Sequence, residues 1–234
     1  MSQKPLTIVQ HEPDDPPGSI AVALKELGVP FEVCRVDLNE ALPASPHDTA
    51  GLISLGGVMN VDQQHQYPFL ADEVHLMRRM VYEGAPVWGI CLGAQLLAEA
   101  SGGAAYKRKQ AEVGWTKIEK VADDPLLRGI SSPFYAFNWH AYSCKISSTS
   151  HLVATCGDGV QAFRAGGKAW GTQFHPEVDA EMAPHWVRDA VQEQKHLGAA
   201  FAEQLQRETD ERLPDYPAFC RRITENFLHA ADLL

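Results

Sequence analysis

The sequence predicts an α/β fold built around a central, mostly parallel sheet. In the first half of the chain, short apolar runs alternate with segments whose apolar residues recur at helical spacing, which is typical of βαβ units. The length of 234 residues suits one sizeable core with a small appendage, and 45% hydrophobic with 21% charged residues is an ordinary globular composition. Together these observations favour one folded core over two full-sized domains.

The charge balance excludes some classes of partner. The chain has 20 lysines and arginines against 30 aspartates and glutamates, a net charge of −10, so it has no long-range attraction for nucleic acid or for an anionic membrane surface. No apolar run reaches the roughly 18 residues of a membrane span, and the N-terminus lacks the features of a signal peptide. We therefore expect a cytoplasmic protein with no nucleic-acid or membrane partner.

Four strands and three helices are predicted in the first hundred residues. The strands are Leu6–His11, Phe31–Asp37, Gly51–Leu55 and Pro86–Ile90. The helices are Ser19–Leu27, Phe69–Tyr82 and a segment that begins near Leu92 and stops at Ser101–Gly103. Gly28 and Gly84 stand where the first two helices should end, because glycine readily adopts the left-handed conformation of a helix C-cap.

The second half contains shorter strand patterns that need not be parallel. These are Thr116–Val121, Tyr135–Phe137, Lys145–Ser147 and Leu152–Thr155. Gln161–Arg164 and Ala169–Phe174 flank a short segment that contains Gly166 and Gly167, which predicts a β-hairpin. The basic run Lys107–Lys109 is expected to be a solvated loop, with contact to the anionic surface of a partner as the alternative.

The C-terminal part of the chain is predicted to be helical. From about residue 180 to residue 234 there are two amphipathic stretches, split by the proline-containing segment Leu213–Pro217. We divide the chain into a domain of residues 1–190 and a helical extension of residues 191–234 that packs on the same domain.

The most informative segment is an apolar strand that ends in Gly89-Ile90-Cys91-Leu92-Gly93 and continues into a helix pattern. This is the form of a nucleophile elbow, in which small residues two positions before and after the nucleophile give room for a strained turn. The helix that follows directs its N-terminal dipole and free N–H groups at the sulfur, which favours the ionised thiol and offers a donor to an oxyanion. Cys91 is therefore the candidate nucleophile, although a buried and inert cysteine is the other interpretation.

A second segment supplies a candidate base. His175 and Glu177 follow a strand-like run and are two residues apart, so in an extended chain their side chains project to the same side. Glu177 can then orient His175 to take a proton from Cys91. A surface histidine next to an acid by chance is the alternative interpretation.

The two motifs Gly89–Gln95 and Phe174–Glu177 together strongly resemble those of the class I, or triad, glutamine amidotransferases. The resemblance implies a flavodoxin-like three-layer sandwich with Cys91, His175 and Glu177 as the catalytic residues. Ser54–Val58 resembles the glycine loop of the family, which assigns the oxyanion hole to the N–H groups of Gly57 and Leu92. The resemblance implies that glutamine is bound by Gln95, by Gly56 and by His140, Ala141 and Tyr142 of a pocket-closing loop, although many members carry an acidic residue where Tyr142 stands.

The implied chemistry is hydrolysis of a γ-carboxamide through a γ-glutamyl thioester, and these steps require no metal or organic cofactor. The five cysteines are scattered without zinc spacing or a disulfide framework, which predicts mostly buried thiols and no metal site. The protein either acts alone on glutamine or a γ-glutamyl compound, or supplies ammonia to a separate synthase subunit that resembles the partner of a GMP-synthase amidotransferase. A thiol sensor without catalysis is the interpretation from another class.

Overall fold

Nine strands form one mixed sheet in the structure, a computed structural model that describes residues 4–234. The strands, in chain order, are β1 Leu6–Gln10, β2 Phe31–Arg35, β3 Leu52–Ser54, β4 Val87–Ile90, β5 Ala104–Lys120, β6 Phe134–Lys145, β7 His151–Cys156, β8 Gly159–Ala165 and β9 Ala169–Thr172. Their spatial order is β2-β1-β3-β4-β9-β8-β7-β5-β6.

The sheet changes direction at β9. The five strands from β2 to β9 in the spatial order are parallel, and the pairings from β9 through β8, β7 and β5 to β6 are antiparallel. The prediction of a parallel centre is confirmed, as is the hairpin, which β8 and β9 form. The carboxyl ends of β3, β4 and β9 lie side by side, which is where α/β proteins place their binding sites.

Helices cover both faces of the sheet. They are α1 Gly18–Glu26, α2 Pro68–Glu83, α3 Leu92–Ala100, α4 Ala183–Glu193, α5 Gly198–Arg212 and α6 Tyr216–Ala230. Neighbouring residues of β1 serve opposite layers: Ile8 packs in the cluster that contains Leu24 of α1 and Phe227 of α6, whereas Val9 packs with Met77 of α2. This alternation gives the three-layer sandwich.

Most predicted elements of the first half agree with the structure to within two residues, but two loop predictions are wrong. Lys107–Lys109 lies within β5, and residues 139–143 lie within β6. The two strands pair along most of their length around an irregularity between Lys107 and Glu112. This bulge interrupts the alternation of polar and apolar residues that would have marked one long strand.

The C-terminal region contains three helices where two were predicted. The break at Leu213–Pro217 is present, and a second break precedes Gly198, whose φ is +76°. Helix α6 is part of the main core, because the ring of Phe227 lies 5.5 Å from that of Trp88 and 6.0 Å from that of Trp170. We therefore expect residues 191–234 to unfold together with residues 1–190. Within residues 4–234, no helix combines the length and apolar character needed to cross a membrane.

Replacing Phe227 by alanine should lower the free energy of unfolding by about 3–5 kcal/mol, because it leaves a cavity beside two buried tryptophans. Denaturant unfolding followed by tryptophan fluorescence and by circular dichroism should give one transition. His229→Ala, at an exposed position of the same helix, is the matched control and should change stability by less than about 0.5 kcal/mol. Two separate transitions would show that the extension unfolds by itself.

Candidate active site

Cys91 occupies a strained turn between β4 and α3. Its φ of 49° and ψ of −104° lie outside the regions that L-residues favour. The turn is held from both sides, since the Cys91 N–H donates to the carbonyl of Thr172 at 2.8 Å and the Gly93 N–H donates to that of Leu55 at 3.1 Å. The cysteine is 5% exposed and lines a cavity, whereas the other buried cysteines do not.

The two glycines beside Cys91 are required by close backbone approaches. A Cβ on Gly93 would collide with the carbonyl oxygen and the hydroxyl of Ser54 on β3. A Cβ on Gly89 would collide with the carbonyl of Gly93 itself. The Gly-x-Cys-x-Gly pattern therefore has the steric cause that the sequence suggests.

His175 and Glu177 come together in the turn that follows β9. The Nδ1 atom of His175 lies 2.6 Å from Oε1 of Glu177, and both residues are buried. The backbone holds them from two directions: His175 N–H donates to Phe137 of β6, and the carbonyl of Glu177 accepts from Ser19 at the start of α1. The pairing depends on a turn and not on the extended strand that the spacing suggested, because β9 ends at Thr172.

Cys91 lies next to the imidazole, and its sulfur acts on the charge of His175. Burial lowers the pKa of His175, but the Glu177 carboxylate and the Cys91 sulfur outweigh burial and hold this pKa well above its usual value. Nε2 of His175 has no hydrogen-bond partner among residues 4–234, and the Cys91 thiol donates to the carbonyl of Trp139 at 3.9 Å. The arrangement can accept a proton from the thiol and return it to a leaving group.

Two backbone N–H groups without a partner among residues 4–234 belong to residues that line the cavity together with Cys91. Leu92 is the first residue of α3, so its N–H has no partner within the helix. Gly57 lies against the side chain of Leu92, since a Cβ on Gly57 would be 3.1 Å from that side chain. Neither N–H has a hydrogen-bond partner among the described residues, and both residues line the cavity.

The cavity has a volume of about 550 Å³ and includes most of the residues predicted to bind substrate. Gln95, His140, Ala141 and Tyr142 all line it. Gln95 Nε2 donates to the carbonyl of Tyr142 at 3.3 Å, which joins α3 to β6. Gly56 does not line the cavity; its carbonyl accepts a hydrogen bond from His11, and the side chains of Asp15 and His175 fill the space where a Cβ would be.

Glu112, which was not identified from the sequence, supports the wall of the cavity. Its Oε2 lies 2.9 Å from Nε2 of His140 and accepts from Gln161 at 2.9 Å. Burial raises the pKa of Glu112, but His140 and Arg108 outweigh burial and lower it. The residue was missed because its partner is 28 positions away in sequence and the two meet only through the β5–β6 pairing.

Three further residues next to His175 were not identified from the sequence. Trp186 of α4 meets the imidazole edge to face at 4.8 Å. Tyr216 of α6 donates to the His175 carbonyl at 2.9 Å and accepts from the Phe137 N–H at 3.2 Å. Asp15 is buried beside Gly56 and His175, and its position after the first strand was the one available signal.

Asp15, His175 and Glu177 also form the one group among residues 4–234 whose metal-ligand atoms lie within 4.8 Å of one another. The hydrogen bond of 2.6 Å between His175 and Glu177 already pairs these two side chains without an ion.

Comparison with known proteins supports a family assignment. The sequence model of the family described as glutamine amidotransferase class-I matches residues 18–193. The glutamine-hydrolyzing GMP synthase of Aeropyrum pernix is 33% identical over 177 residues, which are 72% of this chain and 33% of that protein. The chain thus spans about a third of the length of the curated relatives it matches.

Two solved structures are similar over nearly the whole chain. A glutamine amidotransferase from Methylobacillus flagellatus has a TM-score of 0.88 at 26% identity and covers 98% of this chain and 96% of its own. A glutamine amidotransferase from Thermotoga maritima has a TM-score of 0.85 at 26% identity, with 97% and 99% covered. The similarity to both structures extends past residue 193 of this chain, where the family model ends, so it includes the C-terminal helices. By its sequence and its fold, this chain belongs to the class I glutamine amidotransferase family.

Proposed function

We propose that the protein hydrolyses a γ-carboxamide, in glutamine or in a γ-glutamyl compound, through a γ-glutamyl thioester on Cys91. The observation that carries the proposal is the strained Cys91 turn next to a buried imidazole whose far nitrogen is held by Glu177 at 2.6 Å. Family membership and the glutamine-hydrolyzing relatives support the same reaction class. The proposed catalytic residues are Cys91, His175 and Glu177.

Each residue has a distinct role in the proposed reaction. The ionised Cys91 sulfur attacks the γ-carbonyl carbon, and the N–H groups of Gly57 and Leu92 stabilise the oxyanion. Protonated His175 gives its proton to the leaving nitrogen, the C–N bond breaks, and a thioester remains. Water then attacks the thioester with His175 as base, which releases glutamate and the free cysteine.

The glutamyl part of the substrate is proposed to lie against Gln95 and residues 140–142. These residues line the cavity beside Cys91, and their positions are fixed by the bonds from Gln95 to Tyr142 and from Glu112 to His140. Tyr142 is itself tied to Asp62 by a hydrogen bond of 3.0 Å from its hydroxyl. We assign Gly56 a supporting role, because its lack of a side chain lets Asp15 and His175 approach.

Two versions of this function differ in the leaving group. A cavity of about 550 Å³ has room for a leaving group larger than ammonia, which favours a hydrolase that acts alone on γ-glutamyl compounds. The glutamine-hydrolyzing synthases among the relatives support the second version, in which a separate synthase chain receives the ammonia. Glutamate release by the purified chain, compared between glutamine and γ-glutamyl amides, distinguishes them.

Cys91→Ala should abolish glutamate release from every substrate, a loss of about 10⁴-fold or more, because the thioester can no longer form. Cys34→Ala is the matched control: Cys34 lies on β2 and does not line the cavity, so its loss should leave the rate unchanged. A thiol sensor would release no glutamate in either variant or in the parent protein, and that result would contradict the proposed reaction.

Glu177→Gln should move the basic limb of the kcat/KM profile to lower pH. Burial lowers the pKa of His175, whereas the Glu177 charge raises it, so removing that charge lets His175 lose its proton at a lower pH. The proton donor for the leaving group then disappears earlier as the pH rises. Glu181→Gln, at an exposed site in the loop before α4, serves as the control and should keep the parent profile. An unchanged limb in Glu177→Gln would show that Glu177 does not set the charge of His175.

A further inference from the structure

The cavity beside Cys91 is strongly acidic. Five carboxylate side chains line it, and no lysine or arginine among residues 4–234 does. They come from two places in the chain, Glu12, Asp14 and Asp15 from the turn after β1, and Asp189 and Glu193 from α4. A cavity of one charge sign focuses its field and favours ligands of the opposite sign.

The acidic residues adjoin the side of the cavity where a leaving group must lie. The leaving nitrogen has to be within hydrogen-bonding reach of His175, which protonates it. Trp186, whose ring meets that of His175 at 4.8 Å, belongs to the same helix as Asp189 and Glu193. The residues proposed to hold the glutamyl part come instead from α3 and β6.

Asp15 provides an independent indication of a ligand in this part of the cavity. Its side chain lines the cavity although the residue is only 3% exposed, and its Oδ1 has no hydrogen-bond partner among residues 4–234. Burial and the neighbouring Glu177 carboxylate raise the pKa of Asp15 well above its usual value, so this carboxyl group lacks a fully compensating cation. An ammonium group in the cavity would stabilise the ionised form of Asp15.

Two indole rings complete a surface suited to a cation. Trp139 and Trp186 pack edge to face at 5.7 Å, and both line the cavity. The Trp139 ring N–H donates to Glu193 at 2.9 Å, and that of Trp186 donates to the backbone of Asp14 at 3.0 Å. Aromatic faces attract ammonium groups, and these two rings also hold acidic residues in place.

One basic side chain reduces this charge in part. Arg188 pairs with Asp189 at 2.9 Å and also lies close enough to Asp14 to feel its charge. Asp189 therefore contributes least, and the outer charge is carried mainly by Glu12, Asp14 and Glu193.

We propose that the substrate is a γ-glutamyl amide whose leaving group is a cationic diamine or polyamine, bound by Asp14, Asp15 and Glu193 beside the two indole rings. This inference rests on the proposed function and specifies its substrate. The Cys91 sulfur forms a bond to the γ-carbon, and the C–N bond breaks as His175 protonates the amine nitrogen. One water then cleaves the thioester, so the products are glutamate and the free amine, with no oxidant or reductant.

The test uses three γ-glutamyl amides of similar length and different charge. They are the amides of 1,4-diaminobutane, pentylamine and 4-aminobutanoate, which end in an ammonium, a methyl and a carboxylate group. We expect kcat/KM to fall in that order, by about tenfold or more between the first and the last at low salt. The preference should shrink as salt screens the outer carboxylates.

Variants that each remove one charge test which carboxylates cause the preference for the ammonium substrate. Asp14→Asn and Glu193→Gln change exposed residues, so folding should be kept, and each should lower the ratio of kcat/KM between the ammonium and methyl substrates by about two- to fivefold. Glu203→Gln removes the same charge from an exposed site on α5 that does not line the cavity, and it should keep the parent ratio.

The possible failures are distinguishable. Equal or better hydrolysis of the methyl or carboxylate substrate, or a ratio that both cavity variants leave unchanged, would overturn this inference and leave the proposed hydrolysis intact. An absence of Cys91-dependent glutamate release from these amides and from glutamine would overturn the proposed function and this inference with it.

Discussion

The rest of the structure depends on the tight turn at Cys91. A residue with a side chain pays about 1–3 kcal/mol to occupy such a conformation, so its surroundings must hold it there. The two backbone hydrogen bonds that do so come from Leu55 and Thr172, the residues at or just past the ends of β3 and β9. Three adjacent parallel strands therefore position the sulfur. Because His175 follows β9 by three residues, the strand that supports the turn also delivers the imidazole.

The two halves of the sheet make different contributions to the site. The parallel half provides the Cys91 turn, the Gly57 loop and the turn that carries Asp15. The antiparallel half provides the wall of residues 139–142 through β6, which β5 supports by way of Glu112. Helix α4 closes the remaining side with Trp186. The cavity thus combines a centre held by backbone hydrogen bonds with walls made of side chains.

Local patterns in the sequence predicted much of this arrangement, and the failures have a common cause. The Cys91 turn follows from glycines two positions away, and His175 with Glu177 follows from their proximity in the chain. Glu112, Tyr216 and Trp186 could not be assigned in this way, because each acts through contacts that exist only once distant segments pair or pack. Residues 140–142 were assigned to a loop through the resemblance to the family, whereas β6 runs through them without a break. Asp15 could be predicted only in part. The end of a parallel strand is where α/β proteins place their binding sites, but this rule does not indicate which side chain is buried there.

Tyr216 connects the last helix of the chain to the chemistry. Its hydroxyl lies between the carbonyl of His175 and the N–H of Phe137, although it belongs to α6 and falls outside the segment that the family sequence model matches. Any event that lifts α6 from the sheet, such as proteolytic cleavage between α5 and α6, would free the peptide group that holds the imidazole. The docking of the C-terminal helix and the position of the His175 backbone are therefore linked, and the amide of Phe137 would report on both through its exchange with solvent.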